Sequence, residues 1–231
     1  AGEEIASDDL KQYFQREALP ELAFTPDAEY GVCNREKGIL HVELSAPADG
    51  SRLESLHGGT VRNAVAASAR AEARCTAEEC EALEALSKKM DGKFSFQGSG
   101  GVLTAECAGR AAHAMEPQKG RNAAARLVRL FSSCFGGEAL GALWSFVDQK
   151  IGLELDGSSL GLRREDAVSG PLTVNLGVAE QDNGVCRAVL DIRYPVTADG
   201  EEIFERLRAA AGAYGVKARV LAEQKPLFRS E

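Results

Sequence analysis

The sequence contains no Cys-x-x-Cys pair and only three histidines and one tryptophan in 231 residues. It also lacks any apolar run of the roughly 18 residues that a membrane helix needs. Positive charge is in deficit: 27 Lys and Arg face 35 Asp and Glu, a net charge of −8. That balance argues against a nucleic-acid or anionic-membrane partner, since neutralising phosphates takes a basic patch. The N-terminal residues are acidic and contain no apolar core of a secretory signal. No glycine-rich phosphate loop, Gly-x-Ser-x-Gly or His-Glu-x-x-His occurs, so nucleotide-dependent, serine-hydrolase and thermolysin-type chemistries have no support. The six cysteines (Cys33, Cys75, Cys80, Cys107, Cys134 and Cys186) lie far apart, with no histidine at zinc-finger spacing. They read as reduced, mostly buried small apolar residues of a cytoplasmic protein.

What is present is an ordinary globular composition, 44% hydrophobic and 27% charged, in a chain long enough to bury a core without staples. Asp8 to Arg16 carries helix signals: Ser7 or Asp8 can cap it, and Leu10, Tyr13 and Phe14 share a face. Phe24 to Tyr30 reads as extended. Strands are expected at Gly38–Leu44 and Gly59–Val65. Thr76 to Met90 is a helix opened by a Thr76/Glu79 capping box. Lys93–Gln97 and Val102–Gly109 form a hairpin around Gly98-Ser99-Gly100-Gly101. Asn122 to Phe135 is an amphipathic helix closed by Gly136-Gly137.

A helical linker, Ala139 to Ile151, leads to a second block. It comprises a strand at Leu172–Val178, a second at Gly184–Tyr194 joined through the Asp182-Asn183-Gly184 turn, a helix at Gly200–Gly212 and a strand at Val216–Ala222. The fold class is therefore α+β, with two similar sandwiches of antiparallel sheet covered by helices.

Several residues could carry chemistry. Glu3-Glu4 and Asp27 are carboxylates of the kind that divide metal binding from base catalysis in a zinc hydrolase. Read alone, a Glu-Glu pair is usually solvated and a Pro-Asp usually a turn. His113 sits in a loop of small residues and could donate to an oxyanion or to a substrate carboxylate; alone it reads as an exposed loop histidine. Asn63 follows Gly58-Gly59-Thr60. Arg193, in Asp191-Ile192-Arg193-Tyr194-Pro195, offers a fork for a terminal carboxylate, though an arginine on an alternating strand is commonly a surface residue. His41, mid-strand, and His57, beside a Gly-Gly turn, are assigned no role.

Taken in order, six segments resemble di-zinc metallopeptidases related to dipeptidase V, carboxypeptidase G, acetylornithine deacetylase and succinyl-diaminopimelate desuccinylase. The dipeptidase V branch is the nearest of these. The segments are Glu3-Glu4, Phe24-Thr25-Pro26-Asp27-Ala28-Glu29-Tyr30, Glu36-Lys37-Gly38, Gly109-Arg110-Ala111-Ala112-His113, Gly120-Arg121-Asn122-Ala123 and Asp191-Ile192-Arg193-Tyr194-Pro195. The resemblance implies two zinc ions, with Glu3 as general base, Glu4 as ligand of one zinc and Asp27 of the other. It implies that His113 reaches the oxyanion, and Asn63 and Arg193 the free C-terminal carboxylate of a dipeptide.

It further implies a remnant of an α/β catalytic domain at 1–30 and two fused ferredoxin-like lid halves at 31–138 and 139–231. The family's His-x-Asp and bridging Asp would precede Glu3, and its final His would follow Glu231. The expectation is a lid fragment of a dipeptidase, monomeric and inert alone. Ala114 stands where the family carries Gly. The alternatives are an N-acyl amino acid deacylase or desuccinylase of the same superfamily, and a non-enzymatic ferredoxin-like ligand-binding or dimerisation module.

Overall fold

The computed structural model describes residues 8–21 and 34–229, which fall in two units divided between Cys33 and Asn34. In the first unit α1 (Asp8–Tyr13) is one short helix, ending before Arg16, and Tyr13 meets Phe14 edge to face at 5.3 Å. The expected extended stretch Phe24 to Tyr30 lies outside the described residues.

The second unit is built on eight strands: β1 (Gly38–Pro47), β2 (Leu53–Gly58), β3 (Ser68–Arg74), β4 (Lys93–Ser99), β5 (Val102–Ala108), β6 (Thr173–Asp182), β7 (Val185–Tyr194) and β8 (Lys217–Gln224). They form a single sheet in the order β8-β1-β7-β6-β2-β3-β5-β4, antiparallel at every join. The helices are α2 (Ala77–Ser87), α3 (Ala123–Phe135), α4 (Gly141–Phe146) and α5 (Gly200–Gly212). None of the described helices is long and apolar enough to cross a membrane.

Strand alternation sets the two faces. On β7, Cys186, Ala188, Leu190, Ile192 and Tyr194 join Leu40, Val42 and Leu44 of β1 in the core. They pack with Leu127, Leu130 and Phe131 of α3 and Ile203 and Leu207 of α5. Each fully buried leucine contributes about 1.5–3 kcal/mol. Local signals end the elements as expected. Asn122 caps α3 by accepting from Ala125 N at 3.1 Å, and Asp199 caps α5 by accepting from Glu201 N at 2.8 Å. Asn183 (φ 49°) and Gly184 (φ 78°) make the left-handed turn between β6 and β7.

Two expectations need correction. Gly59–Val65 is a loop between two strands, not a strand. Gly59 has φ +72°, and a Cβ there would stand 1.9 Å from the carbonyl oxygen of Gly177, so the chain leaves the sheet at this point. The strand that does follow, β3, buries only alanines (Ala69, Ala71 and Ala73) on its inner face. Secondly, β1 does not pair with the strands that follow it in sequence. Its neighbours are β7 and β8, which come more than a hundred residues later.

The expected linker helix is also broken up. α4 runs into a π-helical turn, Val147–Ile151, and Trp144 of α4 is fully buried. Trp144 Nε1 donates to Gln181 Oε1 at 2.6 Å, while the Gln181 amide donates to Leu53 O, tying α4, β6 and β2 together. Among the described cysteines all five are free thiols, and burial raises Cys107 and Cys186 to about 11.

The capping box at α2 carries the clearest pH signature. Glu79 accepts from Nη1 and Nη2 of Arg52 (2.7 and 2.6 Å) and from Thr76 N at 2.9 Å. Those bonds hold its carboxyl down to about 2 against an ordinary 4.5. A depressed carboxyl stabilises the fold fully above its unfolded value and loses that contribution as pH falls through the folded one. The stability difference between the parent and Glu79→Gln is therefore expected to narrow between pH 4.5 and about 2. Urea midpoints of the two proteins across that range measure it; a constant gap would show that Glu79 is not titrating with the fold.

Candidate functional site

Glu3, Glu4 and Asp27 lie outside the described residues. The other three candidates, Asn63, His113 and Arg193, are described, and two of them are brought together directly. The Asn63 and His113 loops pair as a short ladder. Val65 N donates to Ala112 O and Ala114 N to Asn63 O, both at 2.9 Å, around an Ala64–His113 bridge. Ala114 is fully buried beneath it.

Strand β6 holds this ladder in place. The Asn175 side chain, 2% exposed, donates to Ala64 O at 3.0 Å. A Cβ on Gly177 would fall 2.3 Å from Arg62 O, so glycine is what lets the loop lie against the strand.

His113 is exposed, but its ring is not free to choose a tautomer. Met115 N donates to Nδ1 at 3.0 Å. The Nδ1 lone pair is therefore occupied, and in the neutral ring the proton sits on Nε2. The remaining ring nitrogen is then a hydrogen-bond donor, which suits an oxyanion and does not suit a metal.

Arg193 stands across the sheet from Thr173 and Ile39, and its neighbour on the same face, Asp191, stands across from Asn175 and His41. The row that anchors the Asn63 loop is thus adjacent to the row that carries Arg193. Arg193 is not a loose surface residue. Its side chain is 12% exposed, and its Nε and Nη2 donate to Asp191 Oδ1 and Oδ2 at 2.6 and 2.9 Å. Asp191 is fully buried and is also bonded by His41 Nε2 at 2.9 Å. Burial alone would push its carboxyl up; the bonds from His41 and Arg193 outweigh that and hold it below the usual range.

Sequence reasoning missed His41 and Asp191. The Asp191-x-Arg193 spacing alone puts both on one strand face, a signal that was available. The partnership with His41 needs the β1–β7 register, which no local pattern encodes. Two polar atoms on this face, His41 Nδ1 and Thr173 Oγ1, are buried with no hydrogen-bond partner among the described residues.

Other polar features offer less. Glu43, Arg187, Glu180 and Arg219 form a partly exposed ion-pair chain farther along the same face, of a kind worth about 0–1 kcal/mol per pair. A cleft of about 340 Å³ beside the loops is rimmed by Arg110, Arg121 and Arg126, but Asp91 already pairs with the last two. Among the described residues no group of three or more His, Cys, Asp or Glu could hold a metal. The carboxylates expected to bind zinc, Glu4 and Asp27, lie outside the described residues.

No family profile matches the chain. The chain resembles dipeptidases along most of its length. It is 29% identical over 211 residues to "Putative dipeptidase YtjP" of Bacillus subtilis, covering 87% of this chain and 46% of that protein. It is 27% identical over 230 residues to "Putative dipeptidase SH1171" of Staphylococcus haemolyticus, covering 94% and 49%. The chain thus spans about half the length of the curated relatives it matches. A solved structure, the aminoacylhistidine dipeptidase of Vibrio alginolyticus, aligns with 86% of this chain and 47% of its own at 12% identity. Its TM-score of 0.32 is too low to establish a shared fold.

Asn175 is the side chain through which β6 holds the loop ladder. Asn175→Ala is expected to cost about 1–3 kcal/mol, the usual cost of leaving a buried acceptor unpaired. Hydrogen exchange should then rise selectively at Val65 and Ala114. An unchanged exchange pattern would mean that the ladder stands without Asn175.

Proposed function

We propose that the chain is the lid of a zinc-dependent dipeptidase that hydrolyses the peptide bond of unblocked dipeptides. The observation that carries this is the bond from Met115 N to His113 Nδ1, which leaves Nε2–H as the donor of an exposed ring on loops anchored next to the Arg193 row. The similarity to dipeptidases over most of the chain supports it. In this reading His113 donates to the oxyanion that forms as the peptide carbonyl is attacked. Asn63 and Arg193 bind the terminal carboxylate of the substrate, for which a preset arginine fork is well suited. Glu3 as general base, and Glu4 and Asp27 as zinc ligands, complete the proposal from residues outside those described. Zinc would supply Lewis-acid polarisation there.

The strand order supports two fused ferredoxin-like halves. β8-β1-β7-β6, with α4 and α5, follows the order 4-1-3-2 of a βαββαβ unit. β2-β3-β5-β4, with α2 and α3, has the same order with its last strand moved to the front. In this reading the halves depart from the expected 31–138 and 139–231: β1 precedes the whole first half in sequence yet belongs to the second. The inner edges, β2 and β6, pair with each other, so neither half needs a second chain to cover that edge. We therefore infer a monomer, to be checked by light scattering at micromolar concentration; a tight dimer would refute that inference.

The catalytic roles are tested in the whole protein. His113→Ala is expected to lower kcat by roughly 10²–10³, the loss typical of one oxyanion donor. Arg193→Ala is expected mainly to raise KM for dipeptides. Turnover untouched by His113→Ala would refute the oxyanion role. Faster cleavage of N-acyl amino acids than of dipeptides would replace the dipeptidase reading with the deacylase one.

A further inference from the structure

Asp191 and His41 have no part in the reading above, yet they form a buried charged group on the face that carries Arg193. Asp191 is fully buried and His41 is 8% exposed. Burying a carboxylate is costly unless its oxygens are bonded. Here both are: Oδ1 accepts from Arg193 Nε, and Oδ2 accepts from Arg193 Nη2 and lies 2.9 Å from His41 Nε2. Three elements of geometry combine. Asp191 and Arg193 are two residues apart on β7 and point to one face. His41 stands directly across from Asp191 on β1. The fork of Arg193 is matched side-on by the carboxylate, which leaves Nη1 and the second Nη2 hydrogen without a partner among the described residues.

We propose that Asp191, itself held by His41, is a positioning residue that locks the guanidinium of Arg193 with its remaining donors set for a ligand carboxylate. This rests on the dipeptide reading above for the identity of the ligand. A free arginine on a strand samples many rotamers and must be ordered when it binds. The clamp removes that ordering cost before the ligand arrives, which is how preorganisation raises affinity. Asp191 also neutralises part of the buried charge of Arg193, and His41 fixes the plane of the carboxylate from the strand on the other side.

The test is an NMR titration of this chain labelled on arginine side-chain nitrogens, with Arg193→Lys identifying the resonance. The Arg193 Nε–H is expected to be shifted downfield and slow to exchange with water. Glycylglycine should move it; glycylglycinamide, which lacks the carboxylate, should not. Asp191→Asn should abolish the slow exchange and weaken the glycylglycine response roughly tenfold or more. His41→Leu should weaken both less, with His41→Gln, which keeps a donor, recovering part of the loss. Folding of each variant is checked by circular dichroism. If Asp191→Asn does not fold, Asp191→Ser takes its place, with the same losses expected because it too removes the carboxylate.

Slow exchange and dipeptide response that survive loss of the Asp191 carboxylate in a folded variant would overturn the clamp. An intact clamp in the wild-type chain with equal responses to dipeptide and amide would instead overturn the carboxylate assignment.

Discussion

The short antiparallel seam between β2 and β6 is the join on which the rest of this architecture depends. Only Leu56, His57 and Gly58 pair across it, with Gln181, Glu180 and Ala179. Without it the sheet would be two four-stranded pieces, each with an inner edge open to other chains. Close packing leaves little room at the seam. A Cβ on Gly58 would meet the Ala124 methyl at 2.7 Å, and Gly59 must turn left-handed against Gly177. Gln181 stitches the same place from the core side by bonding Trp144 and Leu53. The loop that carries Asn63 leaves directly from this seam, so the site inherits its position from the join and not from either half alone.

The parts of the fold that were legible in the sequence are those governed by neighbours in the chain. Thr76 with Glu79, Asn122 before an alanine-rich start, and Asn183-Gly184 between alternating runs each act within a few residues, and each appears where its local chemistry places it. What could not be read depends on distant partners. β3 was missed because alanine has low strand propensity; its place is set by packing against α3. Gly59–Val65 was misread as a strand because its conformation is fixed by Gly177, over a hundred residues away. The position of β1 beside β7 and β8 is likewise a matter of topology, which an inserted segment conceals.

The site divides along the same line. His113 stood out because histidine is rare in the chain and its loop is unusually small-sided. Its tautomer, which decides what the side chain can do, depends on a backbone N–H two residues on and became visible only with coordinates. Arg193 was readable as a carboxylate fork, but not as a fork already occupied on one side. His41 looked like an ordinary buried strand residue because its partner, Asp191, is 150 residues distant. The carboxylates Glu3, Glu4 and Asp27 remain readings of the sequence.

The placement of β1 has a consequence for synthesis. This strand leaves the ribosome before β2 to α3, yet its hydrogen-bonding neighbours come only after α4. At elongation speeds of about 5–20 residues per second, the gap between His41 and Asp191 lasts on the order of 8–30 s. During that interval the stretch from β2 to α3, with four adjacent strands and two helices, is already made. Leu40, Val42 and Leu44 meanwhile wait on a strand with both edges open. The nascent chain must therefore keep one apolar strand soluble until its partners arrive, a demand that grows with expression rate.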